Sequence, residues 1–172
     1  MNTKTTFPIA FAALIAAGFA LSACHRQTPE ELLRKWVLEV GGRVEKRDVH
    51  GLLDRLDPEY VDSVGRSREE TEKMLEGYFE KFAGIVVHVL SSRIELISPE
   101  SATVEADVAV SSGGAEALRR LLRFSGECYR FRSRLKRSGS GWRVVYAEWE
   151  ALDRENLFPD SVEMLRKIFP RL

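Results

Sequence analysis

The sequence predicts an α+β domain in which N-terminal helices pack on a curved antiparallel sheet and a short C-terminal helix follows. The first observation is that apolar residues recur at helical spacing up to Gly84, then with a period of two residues, and again at helical spacing near the carboxyl end. The second is composition. The 172 residues carry 26 basic and 26 acidic side chains and are 44% hydrophobic, which is typical of a globular domain and not of a disordered or polytopic membrane protein.

Three helices are predicted in the first half of the chain. Residues 28–31, Thr-Pro-Glu-Glu, combine a capping threonine, proline at the first helical position and a glutamate that completes a capping box. Asp48 is expected to cap a short second helix that carries Leu56 and stops at Asp57-Pro58. Residues 67–70, Ser-Arg-Glu-Glu, repeat the capping box and open a third helix that ends at Gly84.

The sheet is predicted from the change to a two-residue period. Residues 85–97 indicate a long strand with a bulge at Ser91-Ser92, where the apolar parity shifts. Residues 102–110 alternate apolar side chains with polar ones that include Glu105 and Asp107, so this strand is expected to be solvated on one face. The further elements are a helical insertion at 113–124, a hairpin of strands at 129–136 and 142–150, and a last helix opening at 160–163.

The first 23 residues predict a lipoprotein signal peptide. Only Lys4 is charged, and the 17 uncharged residues 7–23 would span roughly 25 Å as a helix, which is short for a membrane span. Residues 21–24, Leu-Ser-Ala-Cys, resemble the lipobox of bacterial lipoproteins, in which the cysteine is acylated, commonly with palmitate, and a peptidase cuts before it. The alternative is a plain signal peptide or an uncleaved anchor with a coincidental cysteine.

The lipobox resemblance implies that Cys24 is lipidated, that residues 24–28 form a tether, and that residues 29–172 form one domain. It also implies an envelope protein held on a membrane by its lipid. His25 follows the cysteine where many inner-membrane lipoproteins carry Asp, which favours the periplasmic side of the outer membrane in a Gram-negative host. With Cys24 acylated, Cys128 has no partner for an intramolecular disulfide. Cys128 is interpreted as a small half-buried apolar residue, with a reactive thiol as the alternative.

Two segments carry a resemblance to a known family. They are VEKRDVHGLLDRLDPEY at residues 44–60 and GWRVVY at residues 141–146. Together with the order of elements from about residue 29 to 150, they resemble nuclear transport factor 2-like proteins, the superfamily of ketosteroid isomerases and SnoaL-like polyketide cyclases. The resemblance implies a cone-shaped fold with a cavity between helices and sheet. The predicted helix at 114–124 departs from the family, which usually has a short strand connection there.

A catalytic site of the isomerase type needs a cavity carboxylate and a donor for a developing oxyanion. If the apolar residues of the 102–110 strand face the helices, Glu105 and Asp107 point away, so the sequence predicts no catalytic residue. The side chains that could supply cavity donors are Tyr60, Tyr78, His88, Tyr129 and Tyr146. The histidines show no metal-ligand spacing and no Gly-rich phosphate loop follows a strand, so no metal or cofactor is expected.

A basic stripe is predicted on one face of the 129–136 strand. Residues 117–143 contain nine basic residues and one acidic residue, and alternation places Arg130, Arg132, Arg134 and Lys136 together. One interpretation is a solvated face paired with Glu105 and Asp107. The other is contact with an anionic surface such as phospholipid, lipopolysaccharide or an acidic protein partner. Nucleic acid is not expected, because no aromatic stacking platform shares this face.

Three functions remain open on the sequence. The leading interpretation is an envelope lipoprotein whose domain is a non-catalytic binding or assembly module. The rival is a membrane-tethered enzyme of the isomerase or cyclase type acting on a small hydrophobic molecule. The third is a scaffold that forms a homodimer through its sheet and has no ligand of its own.

Overall fold

The computed structural model describes residues 27–82, 84–111, 127–139 and 141–170. The signal peptide, Cys24, His25, most of the tether and the helical insertion at 113–124 lie outside these residues. The described elements are α1 (Pro29–Glu45), α2 (Val49–Leu53), β1 (Leu56–Asp62), α3 (Arg68–Lys81), β2 (Val86–Ser98), β3 (Ser101–Ser111), β4 (Glu127–Ser138), β5 (Gly141–Leu152), a 3-10 turn (Arg154–Asn156) and α4 (Pro159–Ile168).

Both predicted capping boxes are present. Thr28 Oγ1 accepts the Glu31 backbone N–H at 3.2 Å, and the Glu31 carboxylate accepts the Thr28 N–H at 3.0 Å. Ser67 and Glu70 exchange the same pair of hydrogen bonds at the start of α3. These side chains satisfy amide groups that have no partner within the helix, which is why the two helices begin where the sequence predicts.

The second helix ends earlier than predicted. It stops at Leu53, and Leu56 opens β1, which pairs in parallel with β5. The prediction that Leu56 belongs to the helix is therefore wrong, and the antiparallel sheet that the sequence predicts gains one parallel pair at its edge. Pro58 has no N–H to donate, but β1 is an edge strand, where a missing donor is tolerated.

The sheet has the order β1-β5-β4-β3-β2, and all pairs except β1-β5 are antiparallel. The β2–β3 register shifts between Val89 and Ser91, next to the predicted bulge. Beyond it the apolar parity of β2 changes, so that Val89 and Ile94 both reach the same core.

The two faces of the sheet carry different layers. The inner face packs against α1, with Leu33 and Val37 buried against β3, β4 and β5. The outer face is covered in part by residues 153–169, whose Leu157 and Leu165 pack on Leu90, Ala109 and Cys128. Among the described helices, none has the length and apolar character needed to cross a membrane.

Candidate functional site

A cavity lies between α1 and the inner face of the sheet. Its volume is about 210 Å³. Its lining is apolar apart from the Ser133 hydroxyl and the indole N–H of Trp36, which is buried without a hydrogen-bond partner among the described residues. The lining residues are Trp36, Val37, Val40, Gly41, Val44, Leu56, Val87, Val89, Val104, Ala106, Val108, Val110, Phe131, Ser133, Val144 and Ala147. This arrangement confirms that helices and sheet enclose a space, as the fold prediction implies.

Small residues shape this cavity. Gly41 faces β2 at the cavity wall, where a Cβ would lie in van der Waals contact, 3.5 Å from Val87 Cγ1 and 3.7 Å from Val89 Cγ2. Across the space, Ala106 and Ala147 leave room that a larger side chain would fill. The cavity is therefore a consequence of residue size at a few facing positions of α1, β3 and β5.

An aromatic row continues from the cavity along the inner face. Phe131 lines the cavity, is 36% exposed and stacks on Trp149 with ring centroids 6.0 Å apart. The Arg66 guanidinium lies 5.2 Å from the Trp149 ring, and Tyr129 lies 6.2 Å from Phe131 on the other side. Phe131 lines the cavity, and the Tyr129 and Trp149 rings extend from it; we call these three rings, with the Arg66 guanidinium, the rim.

Two of the predicted donors meet a carboxylate at this rim. Tyr129 pairs across the sheet with Val108, a cavity residue, and its hydroxyl donates to the Glu127 carboxylate. That hydrogen bond, with burial, raises the pKa of Tyr129 to about 12. Burial and the nearby Glu127 charge also raise the pKa of Tyr78. Both phenols therefore stay protonated near neutral pH, so neither acts as a base there, and Tyr129 acts as a donor.

The other three predicted donors lie elsewhere. Tyr60 is buried in the core that includes Leu33 and Trp142. His88 lies 5.6 Å from the Phe169 ring, on the outer face. Tyr146 also faces outward, where its hydroxyl donates to Glu148 at 2.9 Å. Among the described residues that line the cavity, none of the five predicted donors is present, and Tyr129 is adjacent to it.

Asp107 has an environment that the sequence does not predict. Its side chain points away from the cavity, as the alternation implies, yet it is 0% exposed. Arg130 donates to both carboxylate oxygens, at 2.8 and 3.1 Å. The Phe158 N–H and the Ser161 hydroxyl donate to Oδ2 at 2.8 and 2.9 Å. The expectation of a solvated Asp107 is wrong, because residues 153–169 cover it.

The Phe158 ring is also part of the cover over Asp107 and Arg130. The guanidinium carbons of Arg93 and Arg130 lie 3.6 and 3.7 Å from its centroid. Sequence reasoning missed the covering of this face. The signal that could have indicated it is the apolar face of the last helix, since Leu165 and Val162 need a surface on which to pack.

The side chains of the basic stripe contact other residues of the same chain. Arg132 binds Glu105 at 2.6 Å and Glu148 at 2.7 Å. Lys136 binds Asp57 at 2.9 Å, and Arg134 lies 4.6 Å from the centroid of the Tyr146 ring. With Arg130 on Asp107, every member of the stripe has an intramolecular partner. The contacts with Glu105 and Asp107 are those that the pairing interpretation predicts, whereas the contacts with Glu148, Asp57 and Tyr146 were not predicted. Contact of the stripe with an anionic surface stays a prediction.

Reactive groups are few in the described part of the chain. Cys128 is buried, and burial raises the pKa of its thiol, which leaves it protonated and unreactive. Within the described ranges, no group of three or more His, Cys, Asp or Glu residues could hold a metal ion.

Comparisons with known proteins find similarity only at the level of structure. No protein-family model matches the sequence, and a search of curated proteins finds no significant match. Among solved structures, the chain is similar to Bd1075 of Bdellovibrio bacteriovorus, with a TM-score of 0.59 and 13% identity over 70% of this chain. That match spans 40% of Bd1075, so this chain corresponds to less than half of it.

Two smaller proteins match over most of their length. A protein named as a candidate scytalone dehydratase of Novosphingobium aromaticivorans gives a TM-score of 0.61 at 13% identity, over 72% of this chain and 84% of that one. A nuclear transport factor 2-like protein of Cytophaga hutchinsonii gives 0.58 at 14% identity, over 73% and 100%. At such identities the likeness shows the fold alone, and it confirms the cone-shaped nuclear transport factor 2-like fold.

Proposed function

We propose that this chain is an envelope lipoprotein whose domain binds a small apolar molecule without transforming it. The observation that supports binding is the apolar lining of the cavity between α1 and the sheet. Its volume, about 210 Å³, exceeds that of engineered apolar cavities of roughly 150 Å³ that take up benzene. A planar or branched hydrocarbon of about ten carbons is the class of ligand that this space suits.

The expected affinity is modest. At roughly 0.5 kcal/mol per non-hydrogen atom, a ten-carbon ring compound would bind with a dissociation constant on the order of 0.2 mM. Among the described lining residues, Ser133 offers a hydroxyl and Trp36 an indole N–H, so polar groups on the ligand can be oriented there. Within the described lining no carboxylate faces the ligand, which supports binding over acid-base chemistry.

Valine methyl NMR with naphthalene as the probe tests the cavity directly. The methyl groups of nine lining valines report on the cavity. Val162, which lies in α4, reports on the outer face. We expect saturable shifts of the lining methyls and none at Val162. Ala147→Leu should abolish them by filling the space. Ala151→Leu, on the same strand at an exposed position outside the lining, is the matched control and should not.

The membrane part of the proposal rests on the lipobox pattern. A Cys24→Ala chain expressed in the host should lose both palmitate incorporation and membrane fractionation, because a doubly or triply acylated terminus is held almost permanently while a bare one is not. Unchanged fractionation would remove the lipoprotein proposal and leave the cavity proposal standing.

A second function is favoured by one specific contact, the hydrogen bond from Tyr129 to Glu127 beside the cavity residue Val108. In an enzyme of the isomerase or cyclase type, Glu127 would carry a proton and a phenol would donate to the oxyanion. The name of the Novosphingobium neighbour agrees with such a role. Deuterium exchange at the α-carbon of 2-tetralone tests it. Acceleration by the wild-type chain that Glu127→Gln removes would establish the enzyme.

The contacts on the outer face limit where a scaffold could form its dimer contact. Residues 153–169 already occupy the half of that face that includes Ala109 and Cys128. A homodimer through the sheet would therefore use the half around Arg132 and Tyr146. Sedimentation equilibrium of the unlipidated chain distinguishes this from a monomer.

A further inference from the structure

One polar atom of a cavity-lining side chain has no hydrogen-bond partner. The indole Nε1 of Trp36 is shielded from solvent, and no described residue accepts its N–H. Trp36 lines the cavity between α1 and the sheet. A buried donor without an acceptor destabilises the fold, because it has given up its hydrogen bond to water and has gained none in return. Native structures keep few such groups, so this one needs a physical explanation.

The position of Trp36 on α1 places its ring in the cavity wall. Val40 and Val44 follow it at intervals of four residues, and both also line the cavity. Residues at this spacing lie one above another on a helix, so the three side chains form one strip of the wall. A molecule in the cavity would therefore lie against the Trp36 side chain.

Two other buried polar atoms of the described chain lack a partner, but their surroundings differ. The Arg43 guanidinium forms two ion pairs through its other nitrogens. Thr71 interacts with the Tyr60 phenol. Neither residue is part of the described cavity lining. Indole has a single donor and no acceptor, so Trp36 has no second polar atom through which it could be satisfied.

The rest of the described lining favours an uncharged ligand. Ser133 contributes a hydroxyl from the sheet, between its neighbours Val104 and Ala147 on the adjoining strands. No lining residue in the described ranges carries a charge. A carboxylate, phosphate or ammonium group would lose its hydration there without an opposite charge to compensate. A ring nitrogen, an ether oxygen or a carbonyl oxygen could accept from Trp36 without that cost.

We propose that the cavity selects apolar molecules that carry one neutral hydrogen-bond acceptor, and that the Trp36 N–H recognises this acceptor. The inference rests on the proposed binding function and narrows its ligand class. The apolar skeleton of the ligand fills the space, while its acceptor pairs with the Trp36 N–H and removes the penalty of the unpaired donor. A hydrocarbon of the same shape would leave the donor unpaired, which is the origin of the selectivity.

Quinoline and naphthalene are an isosteric pair that tests this selectivity, because they differ by one ring nitrogen in place of a CH group. Isoquinoline places the nitrogen at a second position. The unlipidated chain is labelled with ¹⁵N, and the indole N–H signals of Trp36, Trp142 and Trp149 are recorded with each probe near neutral pH, where both nitrogen probes are uncharged. We expect at least one nitrogen probe to move the Trp36 indole proton downfield of its position with naphthalene, whose ring currents are similar. Trp142, in the core, should show no such difference.

Trp36→Phe removes the indole N–H and keeps an aromatic ring in the wall. The ratio of the naphthalene dissociation constant to that of the tighter nitrogen probe should fall about threefold to tenfold, the range of one neutral hydrogen bond. The ratio cancels the change in cavity volume, because that change acts on both probes. Trp149→Phe, which removes an indole N–H at the rim, is the matched control and should leave the ratio unchanged.

Two results would overturn the proposal: a Trp36 indole signal at the same position with all three probes, or an unchanged ratio in Trp36→Phe. If naphthalene still shifts the lining valines in either case, the binding function stands and only the acceptor preference is lost. If none of the three probes binds, the binding function fails and the preference fails with it.

Discussion

The two faces of the sheet differ in what they bury. The outer face buries a charge, Asp107, and surrounds it with Arg130, the Phe158 amide and the Ser161 hydroxyl, so that residues 153–169 dock in one position. Among the residues that the structure describes, the inner face buries no such network beneath α1 and leaves an apolar space instead. Polar contacts need specific geometry, whereas an apolar lining tolerates different occupants. This difference supports the proposal that the inner face binds a ligand, whereas the part of the outer face beneath residues 153–169 is structural.

The largest loss in the free energy of unfolding is expected where the outer face is most polar. Asp107→Ala leaves the buried Arg130 charge, the Phe158 N–H and the Ser161 hydroxyl without their acceptor. Removing one partner of a buried ion pair costs about 3–5 kcal/mol. Urea unfolding should show a loss of that size. Glu105→Ala, which removes a partly exposed partner of Arg132, is the control and should change the free energy of unfolding far less.

The inner-face edge contains its own buried carboxylate, and its effect should depend on pH. Burial opposes ionisation of Asp62, but hydrogen bonds from the Arg66 amide and guanidinium and from the Val64 amide outweigh it and lower its pKa. A folded-state pKa below the unfolded value of ~3.9 means that Asp62 stabilises the fold above that pH. The contribution is lost as the pH falls through the folded-state pKa.

Asp62→Asn should therefore flatten the acid side of the stability curve, measured by denaturant unfolding below about pH 4, where Asp62 takes up a proton in the unfolded chain before it does in the folded one. Exposed Asp54→Asn is the matched control. If both variants kept the wild-type slope, the Arg66 contacts would not be what holds Asp62 ionised.

The position of Asp107 also shows which features can be predicted from the sequence. Alternation along β3 correctly turns Asp107 away from the helices, because side-chain parity is a local property of a strand. It cannot show that α4, about fifty residues later, folds back over that face. The capping boxes at Thr28 and Ser67 were predictable for the same local reason. The parallel pairing of Leu56 with Val144 was not, since it depends on a partner far along the chain.

The residues of the candidate site also differ in how far they could be predicted from the sequence. Tyr129 was predictable as a donor on the inner face, and its partner Glu127 lies two residues earlier on the same strand, where the two-residue period places it on the same face. The stacking of Trp149 on Phe131 was not predictable, since it depends on the register between β4 and β5. His88 and Tyr146 lie on the outer face, His88 ahead of the β2 register shift and Tyr146 in the part of β5 where its pairing with β4 is irregular. The parity of a residue near such an irregularity depends on a shift of one position.

A smaller, stabilising effect is expected in α1. A Cβ on Gly42 would have no atom within 4 Å, so Gly42→Ala should raise the free energy of unfolding by about 0.5–1 kcal/mol through helix propensity. Gly41→Ala should gain similarly but place its methyl against Val87 at the cavity wall. Naphthalene affinity should fall for Gly41→Ala and not for Gly42→Ala. Equal affinities would show that Gly41 does not shape the space.

The smallest effect is expected in the stripe. The Arg132 side chain is 47% exposed, and exposed ion pairs contribute ~0.2–1 kcal/mol. Arg132→Gln should therefore lower the free energy of unfolding by less than about 1 kcal/mol. Raising the salt concentration should shrink even that difference. A loss as large as that of Asp107→Ala would erase the distinction between the buried and exposed parts of the outer face.

Xenon binding in a crystal tests the central claim most directly, because xenon enters apolar cavities without needing a hydrogen bond. The account predicts xenon density on the inner face between Val104, Phe131 and Trp36, and none beneath α4 around Asp107. The Ala147→Leu chain should show no xenon at the inner position. Wild-type crystals without xenon there, or with xenon only on the outer face, would contradict the assignment of the inner face as the binding face.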